Sequence, residues 1–392
     1  MNYDFNTLVD RTGTGSWKWD AMLREYPETP RGTVPFSTAD MELKPAPEII
    51  EGLKTYLTEQ IPGYTGPTDA YYEAVQHFME RRHGYRPERD WFVTTPGIVP
   101  ALYDQVRAFS SPEDSILITP PVYGPFFGCA KGNGRNLVES PLVLKGDHYN
   151  IDFDDFEQKA SLPEVKLFIL CNPHNPCGRV WTREELTTLS DICLRHGVFV
   201  ISDEIHSDLI MPGETFVSMA TLPERYVQNS LVCTAISKTF NLAGLQASNV
   251  FVPDPDRRKL LKDAGGYSSL NVMGYVACRL AYTCGEPWLD QLLVHLKGNR
   301  DYLHEYLEDR LPELVPHRLQ GTYLQWVDFH ALGLSAEELK RFTREKARLF
   351  FNEGTDFGVQ GAGFERWNLA CPRWVLEEAL ERLEKAVKAL KR

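Results

Sequence analysis

The chain has 392 residues, 43% of them hydrophobic and 24% charged, a globular balance with enough material for two domains. A net charge of −12 argues against nucleic acid or another polyanion as partner. No apolar run approaches the ~20 residues of a membrane helix, no basic stretch followed by an apolar one opens the chain, and the eight cysteines form no CxxC pair. A soluble cytoplasmic protein with reduced thiols is expected, without membrane, metal or redox motif.

Residues 1–45 lack strong periodicity and hold many turn formers (Gly13, Gly15, Pro27, Pro30, Pro35), so they read as an arm lying over another surface. Within it, Trp17, Lys18 and Trp19 are candidate neighbours of a substrate pocket, although a Trp-rich arm is ordinarily packing. Helices are predicted over 47–58 and 69–82, the second closed by Gly84. The turn-rich loop between them presents Tyr64.

From residue 91 strands and helices alternate. A strand over 91–95 leads into Pro96-Gly97-Ile98, which opens a helix to about 109; strands follow at 115–119 and 165–170. Thr182 and Glu185 form a capping box for a helix ending at Gly197, and strands follow at 198–202 and 230–236. Continuous apolar strands alternating with helices imply an α/β fold with a largely parallel sheet covered on both faces. After about residue 287 the rhythm changes to a helix over 288–311, a strand over 322–329, a helix over 336–350, a strand over 364–370 and a helix over 374–390. The expected division is an arm, 1–49, joined to the small domain; a large domain, 50–285; and a small α+β domain, 286–392.

Parallel α/β sheets bind ligands at the carboxyl ends of their strands, and four predicted strands end in pointed chemistry. The strand at 115–119 runs into Pro120-Pro121-Val122-Tyr123, and that at 165–170 into Cys171-Asn172-Pro173-His174-Asn175-Pro176-Cys177-Gly178. The strand at 198–202 ends in Asp203-Glu204-Ile205-His206, and that at 230–236 in Ser237-Lys238. A lysine in an isolated SKT tripeptide is ordinarily a surface residue. An amine at a buried strand end is different, because burial disfavours the ammonium and leaves a nucleophile or base. An Asn, an Asp, a Lys and a Tyr meeting on one sheet edge make the second reading the stronger one.

On these residues the chain resembles the fold-type I pyridoxal-phosphate enzymes, the aspartate aminotransferase superfamily, and within it the cystathionine β-lyase/C–S lyase branch. The matching segments include Ala39-Asp-Met, Tyr64, Thr95-Pro-Gly-Ile98, Pro121-Val-Tyr-Gly124, Asn172-Pro-His-Asn-Pro-Cys-Gly178, DEIHSD over 203–208, SKTFNLAGLQ over 237–246 and FERWN over 364–368. The resemblance implies the type I transferase fold, a large domain with a mostly parallel seven-stranded sheet plus a smaller α+β domain.

It also implies pyridoxal 5'-phosphate as cofactor, bound as a Schiff base to Lys238, whose freed amine removes the substrate's Cα proton. Asp203 is implied to pair with the pyridine nitrogen, Asn175 with the 3-hydroxyl, and Tyr123 to stack on the ring. His206 stands where aminotransferases carry a Tyr. The phosphate is implied to sit on Gly97 and Ile98 at a helix N-terminus, with Ser237 adding a hydroxyl and Tyr64 reaching the neighbouring subunit's phosphate. Arg366 is implied to clamp the substrate α-carboxylate, with Ala39 beside it. Gln246 and Ala235 replace the Arg and Ser usual in aminotransferases. His206 and Gln246 favour a lyase that splits cystathionine or a related cysteine S-conjugate into pyruvate, ammonia and a thiol. The alternatives are an aminotransferase, or a bifunctional member that is also a regulatory binding protein. The implied partners are a small amino-acid substrate and a second copy sharing the active site.

Overall fold

The structure is a computed structural model and describes residues 2–266 and 269–390. A seven-stranded sheet has the spatial order Phe92–Thr95, Ser248–Phe251, Ser230–Ala235, Phe199–Asp203, Val165–Cys171, Ser115–Ile118, Asn136–Glu139. Ser248–Phe251 is antiparallel to both of its neighbours, and every other pairing is parallel. Side chains alternate across each strand. Leu167, Ile169, Phe199, Ile201, Leu231 and Cys233 therefore join one apolar layer, with Leu102 and Val106 of the helix Ile98–Phe109. Phe168, Leu170, Val200 and Val232 join the other, with Leu186 and Leu189 of Arg183–Arg195 and Val75 and Phe78 of Asp69–His83. Burial on both faces explains why these strands lack polar alternation in sequence.

The helix boundaries reflect local chemistry. Thr182 Oγ1 accepts the Glu185 N–H at 3.1 Å while Glu185 Oε2 accepts the Thr182 N–H at 2.7 Å, the expected capping box. Gly84 ends Asp69–His83 in the left-handed conformation, at φ 73°.

A second sheet, all antiparallel, has the order Val315–Pro316, Leu324–Asp328, Phe364–Asn368, Asn352–Glu353. The helices Glu286–Arg310 and Arg373–Leu390 bury Leu296, Leu303, Leu376 and Leu380 in the core cluster that also holds Trp326 and Trp367 of this sheet. The N-terminal segment contains a short helix, Trp19–Glu25, and then runs along the second sheet, where the Phe36 N–H donates to Phe350 O and the Glu42 N–H to Ala370 O, both at 2.8 Å.

Two expectations need correction. The helix expected over 336–350 stops at Arg341, continues as one π-helical stretch, Phe342–Lys346, and gives way to extended chain after Arg348 at φ 55°. Leu349, Phe350 and Phe351 are buried, and pairing of Phe350 with the arm takes the backbone groups a longer helix would use. The strand expected over 230–236 ends at Ala235, so Lys238 rides on a single helical turn, Ile236–Thr239.

Gly354 and Gly361 cross at close range: a Cβ on Gly354 would stand 1.8 Å from Gly361 O and 2.6 Å from Phe364 O. Both obstacles are backbone, so Gly354→Ala should destabilise the fold by at least the roughly 1–3 kcal/mol of an overpacked core. Urea unfolding should show a lower midpoint at unchanged m-value.

Candidate active site

Adjacent parallel strands bring Cys171, Asp203 and Cys233 level with one another, so the turns after these strands emerge at one edge. There they line a cleft of about 780 Å³, counting the part open to solvent. Lys238, Ser237, Asp203, His206, Asn175, Tyr123, Gly97, Ile98 and Ala39 all contribute to it. Arg366 comes from the second sheet and reaches Asn175 from the far side. Tyr64 is not brought to this cleft; it is fully exposed on its loop, beside Ser269–Val272 in a separate surface depression.

The Lys238 Nζ donates to Ala39 O at 2.7 Å. Burial lowers its pKa to about 8; Arg366 and Lys18 push the same way, while Asp40 and Asp203 oppose. Asp203 is 2% exposed, and its carboxylate accepts the Ile205 N–H at 3.2 Å. Burial raises it to about 7, against that N–H and the Lys238 amine, with Glu204 adding to the rise. A buried carboxyl with one backbone partner has acceptor capacity left for a protonated ring nitrogen. His206 is buried with Nδ1 unpaired, and burial, with Lys238 and Arg366 nearby, keeps it neutral. Burial pushes Tyr123 up to about 12, so its phenol stays protonated.

One end of the cleft is built for an anion. Gly97, at φ 116°, turns the chain into the helix Ile98–Phe109, and its own N–H is taken by Ser248 Oγ at 3.2 Å. Helix geometry leaves the N–H groups of Ile98 and Val99 without intrahelical acceptors, and Pro100 has no N–H. Ser237 and Gln246 line the same cleft.

The other end is built for a carboxylate. Arg366 donates from Nη1 to Asn175 Oδ1 at 3.0 Å and from Nη2 to Asn352 Oδ1 at 2.6 Å, and its buried Nε has no partner. Its guanidinium lies 4.7 Å from the Phe357 ring centroid, and burial lowers its pKa to about 10. A desolvated cation bonded to two neutral amides attracts an anion strongly.

The sequence did not single out Asn352, whose Oδ1 also accepts the Thr38 N–H at 2.6 Å, or Asn241 and Asn368, which hold the chain on either side of Ala39. No local pattern marks such residues, because their partners are distant in the chain. Of the arm residues, Lys18 and Trp19 are buried against Glu42, whereas Trp17 is 91% exposed. All eight cysteines are unpaired, and no group of metal-binding side chains occurs among the described residues. No described helix is long and apolar enough to cross a membrane.

A parallel sheet whose strand ends gather Asn, Asp and Lys over a helix N-terminus, with an arginine from a second sheet, is the arrangement of fold-type I pyridoxal-phosphate enzymes. The chain belongs to the aminotransferase class I and II family, whose sequence model matches residues 32–383. It is 40% identical over 390 residues to cystathionine β-lyase PatB of Bacillus subtilis, covering 99% of this chain and all of that one. Among solved structures it is similar to cystalysin of Treponema denticola, which contains a pyridoxal 5'-phosphate cofactor, at TM-score 0.98 and 41% identity over the full length of both chains. It is also similar to the pyridoxal-phosphate-bound C–S lyase of Staphylococcus hominis, at TM-score 0.91 and 31% identity over 99% of this chain and 98% of that one.

The lowered basicity of Lys238 can be measured directly. In cofactor-free protein an amine-reactive reagent labels only the neutral form, so labelling at Lys238, read by peptide mass spectrometry, should rise with a midpoint near pH 8. Surface lysines, near their ordinary ~10.4, should label only at higher pH. A Lys238 that titrates with them would contradict the site described.

Proposed function

We propose that this protein is a pyridoxal-phosphate-dependent carbon–sulfur β-lyase that cleaves cystathionine or a related cysteine S-conjugate to pyruvate, ammonia and a thiol. The observation that carries the chemistry is the pairing of a buried, easily neutralised Lys238 with the buried carboxyl of Asp203 across one cleft, and an Arg366 without an anionic hydrogen-bond partner at its rim. The choice of lyase over aminotransferase leans on the full-length likeness to proteins named for C–S cleavage, and on His206 and Gln246.

In this reading Lys238 would hold the cofactor, Asp203 would pair with its ring nitrogen, Asn175 with its 3-hydroxyl, and Tyr123 would cover its face. Its phosphate would be held at the helix end of Gly97 and Ile98, with Ser237. His206 is a buried neutral neighbour of the ring. The cofactor supplies an electron sink for the pair left when a Cα–H bond breaks. The chain does the rest. Arg366, with Ala39 beside it, fixes the substrate's α-carboxylate and so aims Cα–H at the Lys238 amine. That amine, half neutral at a pH of about 8, takes the proton in its neutral form. Once charged, it is a proton donor for the departing thiolate.

The reading extends to a homodimer with a shared site. Tyr64 and Ile61 stand exposed on one loop, a surface suited to a second copy, and Tyr64 would reach the partner's phosphate end. Residues 50–285 would bind the cofactor, and 1–49 with 286–392 the substrate's carboxylate end. A cytoplasmic setting suits the unpaired thiols.

Lys238→Ala should abolish both the visible absorbance of the lysine-linked cofactor and turnover, and retained turnover would sink the assignment. L-Cystathionine should yield pyruvate and free thiol. If instead the holoenzyme exchanges amino groups between an amino acid and a keto acid and releases no thiol, it is an aminotransferase. Mixing inactive Lys238→Ala protein with a Tyr64→Ala variant should restore part of the activity if sites are shared between subunits, because a mixed dimer then carries one site with neither change.

A further inference from the structure

The N-terminal arm meets the lysine through a backbone carbonyl flanked by ion pairs that the proposed chemistry leaves unused. Ala39 O accepts from Lys238 Nζ at 2.7 Å, and the next residue, Asp40, pairs its carboxylate with Arg11 Nη1 at 2.7 Å. Both side chains of that pair are largely shielded, at 29% and 25% exposure. The backbone between them is immobilised. Asp40 O accepts from Lys18 Nζ and from Asn368 Nδ2, both at 2.9 Å, and the Met41 N–H donates to Asn241 Oδ1 at 3.0 Å. Lys18 is in turn buried against Glu42 at 2.7 Å, and Glu42 also accepts the Trp19 indole N–H at 2.9 Å. The Asp40 carboxylate therefore belongs to the residue that follows the amine's acceptor, on a backbone held in place, and is paired with Arg11.

Charge carries further where groups are shielded from bulk water, as Lys238 and the Asp40–Arg11 pair are. Two acids, Asp40 and Asp203, face Lys238 against two cations, Arg366 and Lys18; Tyr123 and His206 complete the lining as neutral groups. Of the four charges Asp40 acts most strongly. Asp203 would be occupied by a bound cofactor and Arg366 by a bound substrate. Asp40 and Arg11 belong to neither interaction, so their balance persists when the site is filled.

We propose that Asp40 and Arg11 are positioning residues that set the basicity of Lys238, Asp40 drawing the amine toward the ammonium form and Arg11 restraining that pull. Coulomb's law gives the signs. Removing the Asp40 charge destabilises the ammonium and makes Lys238 a weaker base. Removing Arg11 leaves Asp40 unopposed and makes it a stronger one.

The inference takes Lys238 as the reactive amine of the proposed function, but its test reads the amine itself. Full-length, cofactor-free protein is labelled with trinitrobenzenesulfonate across pH, and the midpoint at Lys238 is determined by peptide mass spectrometry. Asp40→Asn should lower the midpoint and Arg11→Met should raise it, each by about one pH unit. Arg11→Lys should stay near wild type, and the Asp40→Asn/Arg11→Met double variant should fall between the two single variants. In the holoenzyme, where substrate frees the amine, the acid limb of the kcat profile should move in the same two directions. A purely structural role would lower the unfolding midpoint of both variants and leave the labelling midpoint in place, and that result overturns the proposal. So do shifts of the same sign in both variants. Should Asp40→Asn fail to fold, the comparison of Arg11→Met with Arg11→Lys decides alone. An active Lys238→Ala protein would remove the lyase reading while leaving these midpoints measurable, so the two failures are distinguishable.

Discussion

An amine taken out of water must either lose its proton or find compensating charge, and the Lys238 site does some of each. Burial is the larger effect and brings the pKa to about 8, while Asp40 and Asp203 keep it from falling further. That compromise constrains the surroundings. The amine needs an acceptor, which is the Ala39 carbonyl at 2.7 Å; the carbonyl needs a fixed backbone; and that backbone belongs to an arm from the opposite end of the chain. A surface lysine would be charged at neutral pH and useless as a base.

The two sheets contribute differently to this constraint. The parallel sheet fixes positions along one edge, since the register that aligns Cys171 with Asp203 and Asp203 with Cys233 leaves little freedom to the turns beyond them. The antiparallel sheet delivers a single cation, Arg366, from a strand buried along its whole length. It connects to the first through Arg366–Asn175, at 3.0 Å, and to the arm through Asn352, whose Oδ1 serves Arg366 and Thr38 alike. Thr38 is a β-branched residue at φ 58°, a costly conformation that survives where neighbours over-determine it. Here its N–H is held by Asn352 and its carbonyl by Asn368 at 2.8 Å.

Strand-end chemistry was legible in the sequence because a parallel sheet makes it so. Continuous apolar runs announce buried strands, and the residues just beyond each run lie on the binding edge, so Asn175, Asp203 and Lys238 could be grouped without coordinates. The second sheet was legible as a change of rhythm, but the bend after Arg341 was not, since the run from Leu349 to Phe351 suits a buried helix face as well as extended chain. The strand Ser248–Phe251 escaped notice because SNVF has too few apolar residues to stand out, although Asn249 is fully buried and accepts from the Tyr71 hydroxyl at 2.7 Å. Asn352, Asn241 and Asn368 were out of reach for a different reason. Their work is to bond backbone hundreds of residues away in the chain, and composition carries no trace of that.

These long-range amides also decide how separable the parts of the molecule are. The segment from Thr38 to Leu43 is bonded to Asn241 beside the Lys238 turn and to Asn352 and Asn368 of the second sheet. Arm, lysine and arginine thus share one set of hydrogen bonds. The apolar core repeats the pattern, since Phe36 and Met41 of the arm, Phe168 of the first sheet and Trp367 of the second lie in one cluster. The parallel sheet alone could present Asp203 and Lys238, but without the arm the amine loses its acceptor and its strongest charge, and without the second sheet it loses the guanidinium that opposes that charge. The basicity of Lys238 is for this reason a property of the assembled chain, and the regions flanking the sheet shape the chemistry as directly as the strand ends do.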